Sequence, residues 1–455
     1  FGKDGLYIML TEVQKNKLAE YNDRKDVQSV AKTRLVSLFD DGIYTELDAG
    51  AMNGDSHTGV YTAYGFVDGS PVYAFSQDKE IKGGAVSTAH AAKICKLFDL
   101  ASRTGYPVVG IYDSNGAFIE EGASIISAYS EMLMWTNNLS GVVPQISVIC
   151  GVCSASSALI ACSADIVIAT EKSELYMYSS AKNADGTISV SAKNDADALD
   201  TARKILSSLP ANNLSSAPEF EFDISSSVAE GSAEEIAIAI SDVDSIIELS
   251  ADFGTSAYTA IARIGGSAVG IVASNKTDDK LSSDDSAKLA RFIRLCDSYS
   301  IPVVTIIDTE GFGADCNIRD VAKLASAYAE ATTLKISVVT GKAYGSAMVV
   351  FGAGNADVTY AYADSVISPI APVAAVEFLM HDELKGAKDL TAKRNELASS
   401  YIDNNATAFD AAAKGCVTEI ITSVEARAKI VSALEVMSSK RLNKRLPKKH
   451  SNMPF

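Results

Sequence analysis

The stretch "AAKICKLFDLASRTGYPVVGIYDSNG" (91–116) decides the fold, because the chain repeats its pattern later as "SAKLARFIRLCDSYSIPVVTIIDTEG" (286–311). In both copies a proline precedes two valines, and an aspartate and a glycine follow at equal spacing. In the first copy these residues are Pro107, Asp113 and Gly116. The repeating unit is far longer than one turn of a solenoid, so the sequence predicts a duplicated domain.

The similarity between the copies continues on both sides of this stretch. Upstream, "TAYGFVDGSPVYAFSQD" (62–78) aligns with "TAIARIGGSAVGIVASN" (259–275). Downstream, "ISVICGVCSASSA" (146–158) aligns with "ISVVTGKAYGSAM" (336–348). The duplication therefore includes several consecutive elements of secondary structure.

The segment between the copies, 178–250, is rich in Ser, Ala, Asn and Asp. It contains one predicted helix, over 195–209, which Pro210 ends because proline cannot continue a helix. Such a composition is typical of a connection between domains. We therefore predict an N-terminal domain over 1–220 and a C-terminal domain over 221–455.

The order of predicted elements is the same in both copies. Each has an amphipathic helix, a strand that ends in Asp-x-x-Gly, a second helix, a second strand, a turn of small residues, a third helix and a further strand. This alternation predicts α/β domains with largely parallel sheets, which bind ligands at the carboxyl ends of their strands. The predicted helices cover 91–104, 122–138, 284–299 and 319–332, the second strands are "PQISVIC" and "LKISVVT", and the further strands are "DIVIAT" and "DSVIS".

The turns of small residues raise a question, because "GVCSASSALIACSADI" (151–166) carries almost no side chain that can do chemistry. We predict that Gly151 to Ser157 open a helix, whose first N–H groups lack partners within the helix and attract negative charge. The turn from Asp113 to Ala117 can add another N–H, and two converging N–H groups make an oxyanion hole. An alternative interpretation is that small residues only let a helix pack closely on the sheet. The second copy offers the same two turns, at Gly311-Phe312 and at Gly345-Ser346-Ala347.

Composition narrows the classes of partner. A formal net charge of −17 argues against nucleic acid as the main partner, and no apolar run is long enough to cross a bilayer. The seven cysteines show no disulfide or metal-site spacing, so we predict reduced thiols, Cys150 and Cys153 included, in a cytoplasmic protein. The first residue is Phe1 rather than Met, so a targeting segment that precedes it is one of the alternatives. The basic segment "KRLNKRLPKK" (440–449) suits either a solvated tail or a docking site for a phosphate or an acidic partner.

Groups for acid–base catalysis are scarce. The four histidines, His57, His90, His381 and His450, stand apart without metal-site spacing, so no metal is predicted. We expect His90 to start or pack a helix, and the pair Glu120-Glu121 to lie at a helix N-terminus; a role in proton transfer is the alternative for each. The sequence therefore favours a site that holds oxyanions over one that moves protons through side chains.

Many segments, in this order, resemble the carboxyltransferase subunits of biotin-dependent acyl-CoA carboxylases and the related decarboxylase subunits. The resemblance covers most of the chain and implies a tandem pair of crotonase-like domains of the ClpP/crotonase class. It also implies a hexamer whose active sites form between the N-terminal half of one protomer and the C-terminal half of another. The matching segments include "AKTRLVSLFDDGIYTELD" (31–48), "DSNGAFIEEG" (113–122), "ARIGGSAVGIVASN" (262–275), "AYAEATTLKISVVTGKAYGSA" (327–347) and the ending "RLPKKHSNMPF" (445–455).

The resemblance implies that the chain moves a carboxyl group between carboxybiotin, on a separate carrier domain, and the α-carbon of a short acyl-CoA of the acetyl or propionyl class. Biotin would supply the base, which agrees with the scarcity of histidine. The implied partners are a biotin carboxyl carrier protein and either a biotin carboxylase subunit or the membrane subunits of a decarboxylase. The implied catalytic residues are Gly116, Ala117, Ala155 and Ser156 toward the acyl-CoA thioester, and Gly311, Phe312, Gly345 and Ser346 toward biotin; the implied binding residues are Gly83, Gly84, Gly151, Ala343, Tyr344 and Ala347.

The chain departs from the family pattern at four places. Ser154-Ala155-Ser156 stands where the family usually has Ala-Gly-Gly, and Asn115 stands where it has Gly. The stretch after Met177 and the loop after Phe312 are both shorter than usual. Three interpretations stay open: a carboxyltransferase with an altered acyl group, the corresponding subunit of a sodium-pumping methylmalonyl-, malonyl- or glutaconyl-CoA decarboxylase, and a non-catalytic scaffold of such a complex. A crotonase-type hydratase fits the tandem copy poorly.

Overall fold

The computed structural model describes residues 10–178, 185–225, 227–440 and 452. It divides into two compact units, of which the first comprises Phe1–Ala181 with Ser191–Ser207 and the second comprises Lys182–Val190 with Ser208–Phe455. Each unit contains one copy of the repeat, and the domain boundary at 220/221 stays a prediction. The basic segment 440–449 lies outside the described residues apart from Lys440.

The first unit is built on one large sheet. Its strands are β1 Tyr44–Leu47, β2 Met52–Asn53, β3 Ser56–His57, β4 Val60–Val67, β5 Ser70–Gln77, β6 Val108–Ser114, β7 Gln145–Ser154, β8 Ile166–Thr170, β9 Glu174–Tyr176 and β10 Val190–Ala192. Its helices are α1 Glu12–Lys25, α2 Val30–Leu38, α3 Thr88–Thr104, α4 Ser124–Leu139, α5 Ser156–Cys162 and α6 Asp195–Ser208. The eight-stranded sheet has the order β1-β4-β5-β6-β7-β8-β10, with β9 paired to β7. The strands from β5 to β8 are parallel, and every residue of β6 is buried, as expected for a parallel strand covered on both faces.

The second unit repeats this plan. Its strands are β11 Ile247–Glu248, β12 Tyr258–Ile264, β13 Ser267–Ala273, β14 Lys280–Leu281, β15 Val303–Thr309, β16 Gly311–Phe312, β17 Lys335–Tyr344, β18 Val358–Tyr362, β19 Val366–Ser368 and β20 Glu419–Ile421. Its helices are α7 Ala233–Ile240, α8 Ser283–Ser298, α9 Ile318–Glu330, α10 Ser346–Phe351, α11 Pro372–Leu379, α12 His381–Lys385, α13 Leu390–Asn405, α14 Ala408–Ala413 and α15 Ala426–Met437. The sheet order is β11-β12-β13-β15-β17-β18-β20, with β19 on β17. The prediction of duplicated α/β domains with parallel sheets is confirmed.

Helix α3 shows how local sequence places an element beside the site. The Ser87 side chain accepts the N–H of His90 at its start, and Gly105 ends it in the left-handed conformation with φ of 72°. Ile94 and Leu97 lie on its buried face, three residues apart. His90 therefore belongs to the first turn of a helix, as predicted.

Two predictions around the small-residue turns are wrong. The strands β7 and β17 continue to Ser154 and Tyr344, so Gly151 lies inside a strand and the next helices begin only at Ser156 and Ser346. The continuation is irregular, because the pairing of each strand with its neighbour shifts register near its end. The strand that corresponds to "DIVIAT" is Val358–Tyr362, whereas "DSVIS" contains β19, the counterpart of β9.

Candidate oxyanion-binding site

In the first unit, the two predicted turns lie side by side at the carboxyl edge of the sheet. The pairing of β6 with β7 extends to Ser114 and Cys153. Just beyond, the Ser154 hydroxyl donates to the carbonyl oxygen of Asn115 at 3.3 Å. A Cβ added to Gly116, whose φ is +106°, would lie 3.2 Å from Ser154 Oγ. The turn from Asp113 therefore rests directly against the start of the small-residue turn.

The second unit brings the corresponding turns together in the same way. The pairing of β15 with β17 extends to Thr309 and Ala343. Gly311 has a φ of +111°, and a Cβ added there would lie 3.6 Å from the carbonyl oxygen of Tyr344. Ala343, Tyr344 and Ala347 are buried, so they support these turns from beneath.

Half of the N–H groups predicted to bind oxyanions already have partners. The Gly116 N–H donates to Ser114 Oγ at 3.1 Å, and the Gly311 N–H donates to Thr309 Oγ1 at 3.1 Å. The Ala155 N–H donates to the carbonyl of Tyr176 at 2.9 Å. The Gly345 N–H likewise donates to the carbonyl of Ser368 at 2.9 Å, so these four groups shape the turns rather than offer free donors.

The remaining predicted N–H groups point to open positions. Among the described residues, the N–H groups of Ala117 and Ser156 have no hydrogen-bond partner. In the second unit the Ser346 N–H is likewise unpartnered within the described part of the chain. Phe312 lies in β16, next to Gly313, whose N–H donates to the Leu281 carbonyl of strand β14. Because successive N–H groups of a strand point to opposite sides, the Phe312 N–H points away from β14. Each unit thus presents one pair of candidate donors.

The side chains beside these donors do not fill the site. Ala117, Ser156 and Ser346 are exposed, and Phe312 is half-buried. Because Ser156 and Ser346 are the first residues of α5 and α10, their N–H groups lack intrahelical acceptors for a geometric reason. The serines that replace the glycines expected from the family pattern therefore stand at the rim of the turns.

An aspartate near the end of a strand holds each turn, Asp113 buried in the first unit and Asp308 half-buried in the second. The Asp113 carboxylate occupies the space that a side chain at position 151 would need, because a Cβ on Gly151 would lie 2.0 Å from Asp113 Oδ1. In the second unit a Cβ on Gly341 would lie 2.4 Å from Asp308 Oδ1. Gly151, which the resemblance assigns to binding, makes room for the Asp113 carboxylate.

The Asp113 carboxylate is anchored by a cation that the sequence did not single out. Arg34 Nη1 lies 3.0 Å from Asp113 Oδ2, and Arg34 Nε lies 2.7 Å from Asp195 Oδ2. The side chains of Arg34 and Asp113 are 7% and 10% exposed, so this pair is largely removed from water. Asp308 has neutral partners instead, the Asn275 amide at 2.7 Å and the Lys342 N–H at 2.8 Å.

A chain of neutral groups supports the same turn from behind. The Asp113 N–H donates to Gln77 Oε1 at 3.2 Å, and Gln77 Nε2 lies 3.2 Å from His90 Nε2. His90 Nδ1 lies 3.2 Å from the Thr58 carbonyl, so a neutral ring that donates from Nδ1 satisfies both contacts. Burial, together with the nearby Lys93, lowers the pKa of His90 to about 3. His90 therefore orients Gln77 and does not reach the candidate site as a base.

Ala155 adopts a backbone conformation that favours glycine. Its φ and ψ are 49° and −121°, and Gly345 at the matching position has 53° and −122°. An L-residue at positive φ costs about 1–2 kcal/mol. The first unit therefore carries backbone strain that the second unit avoids.

We expect Ala155→Gly to raise the free energy of unfolding by about 0.5–1 kcal/mol, because the relief of strain exceeds the entropy cost of glycine. The reciprocal Gly345→Ala should lower it by about 1–3 kcal/mol, since it introduces the strain. Its Cβ would also lie 3.0 Å from the Pro369 carbonyl oxygen. Urea unfolding followed by circular dichroism measures both variants, and equal signs for the two changes would contradict the argument.

Glu121 and the two neighbouring cysteines have structural roles. Glu121 Oε2 accepts the Thr88 N–H at 2.7 Å and so caps α3, a different helix from the one predicted. Cys150 and Cys153 are free, buried thiols. Burial raises the pKa of Cys150 to about 12, which leaves it protonated at neutral pH.

The charges around the two candidate sites differ. On the first-unit side, Lys79 Nζ lies 4.0 Å from Asp113 Oδ1 and Lys82 Nζ lies 4.5 Å from the centre of the Phe118 ring. The second-unit side carries two lysines that are both paired with acids: Lys342 Nζ lies 2.7 Å from Asp279 Oδ2, and Lys280 Nζ lies 3.5 Å from Glu310 Oε2. The first site is therefore the better environment for an anionic ligand.

Other features of the described residues do not add a second reactive centre. A cavity of about 480 Å³ in the second unit opens between α7 and α15, and none of the predicted site residues line it. No group of three metal-ligating side chains occurs within the described ranges. No helix among the described residues has the length and apolar character needed to cross a membrane.

Comparison with protein families gives a match along nearly the whole chain. The model of the carboxyl transferase domain matches residues 23–184 and 178–453. Methylmalonyl-CoA decarboxylase subunit alpha from Propionigenium modestum is 32% identical, with 93% of each chain covered. The propionyl-CoA carboxylase beta chain of Saccharopolyspora erythraea is 32% identical over 93% of this chain and 90% of that protein.

Comparison with solved structures supports the same relationship. Transcarboxylase 12S, a hexamer solved with methylmalonyl-coenzyme A and methylmalonic acid bound, superposes with a TM-score of 0.87 at 31% identity. The match covers 96% of this chain and 94% of that one. A single-chain long-chain acyl-CoA carboxylase, 20% identical, shares the fold with a TM-score of 0.80.

Proposed function

The chain belongs to the carboxyl transferase family, and on that premise we propose that it transfers a carboxyl group between carboxybiotin and the α-carbon of a short acyl-CoA. It is an enzyme of the type found in propionyl-CoA carboxylases and methylmalonyl-CoA decarboxylases. The observation that carries the proposal for this chain is the pair of unpartnered N–H groups at the carboxyl edge of each unit. The crotonase-like duplication places one such pair in each copy.

In the first unit, the N–H groups of Ala117 and Ser156 would bind the thioester oxygen of the acyl-CoA. As the α-carbon loses a proton or a carboxyl group, negative charge develops on that oxygen. A preorganised donor at such an oxygen lowers the barrier by roughly 2.7–4 kcal/mol. Gly116 and Ala155 shape these turns, since their own N–H groups are bonded to Ser114 and Tyr176.

In the second unit, the N–H groups of Phe312 and Ser346 would hold the ureido oxygen of biotin. The residues fit this role, because Gly311 at φ of +111° leaves the approach to both N–H groups clear of a side chain. Bound biotin supplies the carboxyl group that is transferred and the base that removes the α-proton. The chain itself orients the oxygen and stabilises its charge, which agrees with the absence of a reactive histidine from both described sites.

The assignment of the two ligands to the two units follows from charge. Coenzyme A carries several phosphates, whereas biotin is neutral at its ring and gains a single carboxylate as carboxybiotin. Beside the first site, Lys82 has no carboxylate partner among the described residues, whereas beside the second site Lys342 and Lys280 are paired with acids. Coulomb attraction therefore favours acyl-CoA at the first unit.

The partners we propose follow from the relatives. A biotin carboxyl carrier protein would deliver the cofactor, and the chain would assemble as a hexamer, as transcarboxylase 12S does. A biotin carboxylase subunit would make the complex a carboxylase in the cytoplasm. The likeness to a methylmalonyl-CoA decarboxylase subunit favours a second candidate. In it, the chain would decarboxylate an acyl-CoA within a sodium-pumping complex, with membrane subunits as its partners.

We expect the purified chain to catalyse the decarboxylation of malonyl- or methylmalonyl-CoA when free biotin is added, because biotin without its carrier can still occupy the second site. Isothermal calorimetry with propionyl-CoA should show binding without biotin, because both N–H donors proposed for the thioester oxygen belong to the first unit. The matched control is free coenzyme A, which lacks the thioester. A chain that binds none of these thioesters, yet associates stably with a biotin carrier protein, would be a non-catalytic scaffold.

A further inference from the structure

Lys82 lies in a turn that is fixed against the first candidate site. The turn Lys82–Gly84 is locked by two close approaches: a Cβ on Gly84 would lie 2.3 Å from the Asp113 carbonyl oxygen, and one on Gly83 would lie 2.6 Å from Asn115 Nδ2. The Asn115 N–H donates to the Gly83 carbonyl at 3.0 Å. The backbone of Lys82 therefore keeps a constant position relative to the turn that carries the Ala117 N–H.

The next residues tie this turn to Ala117 on its other side. The Val86 N–H donates to the Gly116 carbonyl at 2.8 Å, and the Phe118 N–H donates to the Val86 carbonyl at 2.8 Å. These two bonds enclose Ala117 between them. Gly83 and Gly84, which the family resemblance assigned to binding, thus connect Lys82 to the candidate oxyanion site.

The ammonium group of Lys82 is held without a countercharge. Its Nζ stands 4.5 Å from the centre of the Phe118 ring, a cation–π geometry that limits its freedom. Among the described residues it has no carboxylate partner, although the residue is exposed. The acids nearby are engaged elsewhere, Asp113 with Arg34 and Glu121 with the Thr88 N–H.

The backbone of Lys82 is also strained. Its φ is 51°, and Gly83 and Gly84 follow at 68° and 67°, so three consecutive residues are left-handed. A lysine there costs about 1–2 kcal/mol relative to glycine. The cost is hard to explain by packing, because the side chain is exposed, and strain of this kind is commonly found at ligand-binding sites.

The second unit does not repeat this cation. The pairing of Val86 with Ala117 corresponds to the pairing of Leu281 with Phe312. The segment before this pairing is shorter in the second unit: seven residues separate Asp78 from Val86, but five separate Asn275 from Leu281, without a Lys-Gly-Gly turn. Its two lysines are both paired, Lys276 with Glu248 and Lys280 with Glu310. Among the described residues, a lysine without a carboxylate partner at this position is therefore specific to the unit proposed to bind acyl-CoA.

We propose that Lys82 binds an oxyanion of the acyl-CoA, either a phosphate of the coenzyme or a carboxylate on the acyl chain, and so selects anionic thioesters at the first site. This inference rests on the proposed function. Both groups are anions within one ligand, and an unpaired, positioned ammonium attracts either of them. Lys79 contributes less, because its ammonium already faces the carboxylate of Asp113.

The test compares Lys82→Met with Lys82→Arg in calorimetric titrations with propionyl-CoA, methylmalonyl-CoA and propionyl-pantetheine. Loss of one charged contact should weaken the binding of the affected thioester about tenfold. Lys82→Arg should bind as the unmodified chain does, because it keeps the charge and the contact with Phe118. Lys204→Met is the matched control, because it also removes an exposed lysine from the first unit. Lys204 lies on α6 far from the candidate site: its neighbour Arg203 pairs with Asp68, in the β4–β5 turn at the opposite edge of the sheet.

The ligand series identifies the oxyanion. Equal losses with propionyl-CoA and methylmalonyl-CoA, absent with propionyl-pantetheine, would assign Lys82 to a phosphate; a loss confined to methylmalonyl-CoA would assign it to the acyl carboxylate. Unchanged affinity of Lys82→Met for all three, while the unmodified chain binds them, would overturn this inference alone. If the unmodified chain binds no thioester, both this inference and the proposed function fail.

Discussion

Replacing Arg34 by methionine is expected to lower the free energy of unfolding of the first unit by about 3–5 kcal/mol, because it removes the close cation of a buried carboxylate. Asp113 then keeps only Lys79, whose exposed ammonium lies 4.0 Å away. Asp113 cannot turn toward water, since its carboxylate is packed against the backbone of Gly151. Asp195 loses the same partner. Urea unfolding followed by the fluorescence of Trp135, the only tryptophan in the chain, measures this unit.

Arg103→Met provides the matched control for this prediction. It also removes an arginine from an ion pair, but its partner is Asp99 on the surface of α3 and its side chain is 72% exposed. Exposed pairs of this kind contribute less than about 1 kcal/mol. The double variant Arg34→Met with Asp113→Asn should recover part of the loss, because the amide carries no charge. If Arg34→Met and Arg103→Met differ by less than about 1 kcal/mol, the buried pair does not anchor the turn.

The architecture followed from the sequence because a duplication makes each copy a check on the other. Two stretches with proline, paired valines and Asp-x-x-Gly at equal spacing cannot belong to unrelated folds. The amphipathic helices were placed to within a few residues, since their apolar positions recur at helical spacing. The predicted helix at 195–209, for example, is Asp195–Ser208 in the structure.

The end of β7 could not be predicted by the same argument. Small residues such as Gly151 and Ser154 carry little periodic signal, so the sequence predicts a strand that ends at Cys150. The true reason for Gly151 lies far away in sequence, in the carboxylate of Asp113 that fills the space beside it. A contact between residues distant along the chain leaves no mark in the local pattern.

The sequence predicted which turns lie together, but it did not predict which of their N–H groups are free to bind a ligand. Sequence reasoning predicted turns that the structure does bring together in each unit. It could not tell that the hydroxyls of Ser114 and Thr309 accept the N–H groups of Gly116 and Gly311. The hydroxyl residue at the same offset in both copies was a usable signal. Arg34 was missed because a lone arginine on a helix usually lies in water.

The two units also show that a shared backbone does not require shared chemistry. Asp113 and Asp308 occupy matching positions, yet one is paired with a guanidinium and the other with an amide and an N–H. What the two units share is a pair of N–H groups that have no hydrogen-bond partner among the described residues. The charges beside them have diverged, which is what two different ligands would demand.

The largest catalytic effect is expected from Ser346→Pro, which removes the N–H of residue 346 and nothing else that the site needs. Proline is tolerated at this position, because it is the first residue of α10, and Gly345 before it has no Cβ to meet the proline ring. Removal of one oxyanion donor should lower kcat for biotin-dependent decarboxylation about 10²–10³-fold. Ser346→Ala keeps the N–H and loses only an exposed hydroxyl. Its kcat should therefore stay within about threefold of the unmodified value, far less than the loss expected when one N–H donor is removed. Equal activities of the two variants, with circular dichroism unchanged in both, would remove the backbone of residue 346 from the mechanism.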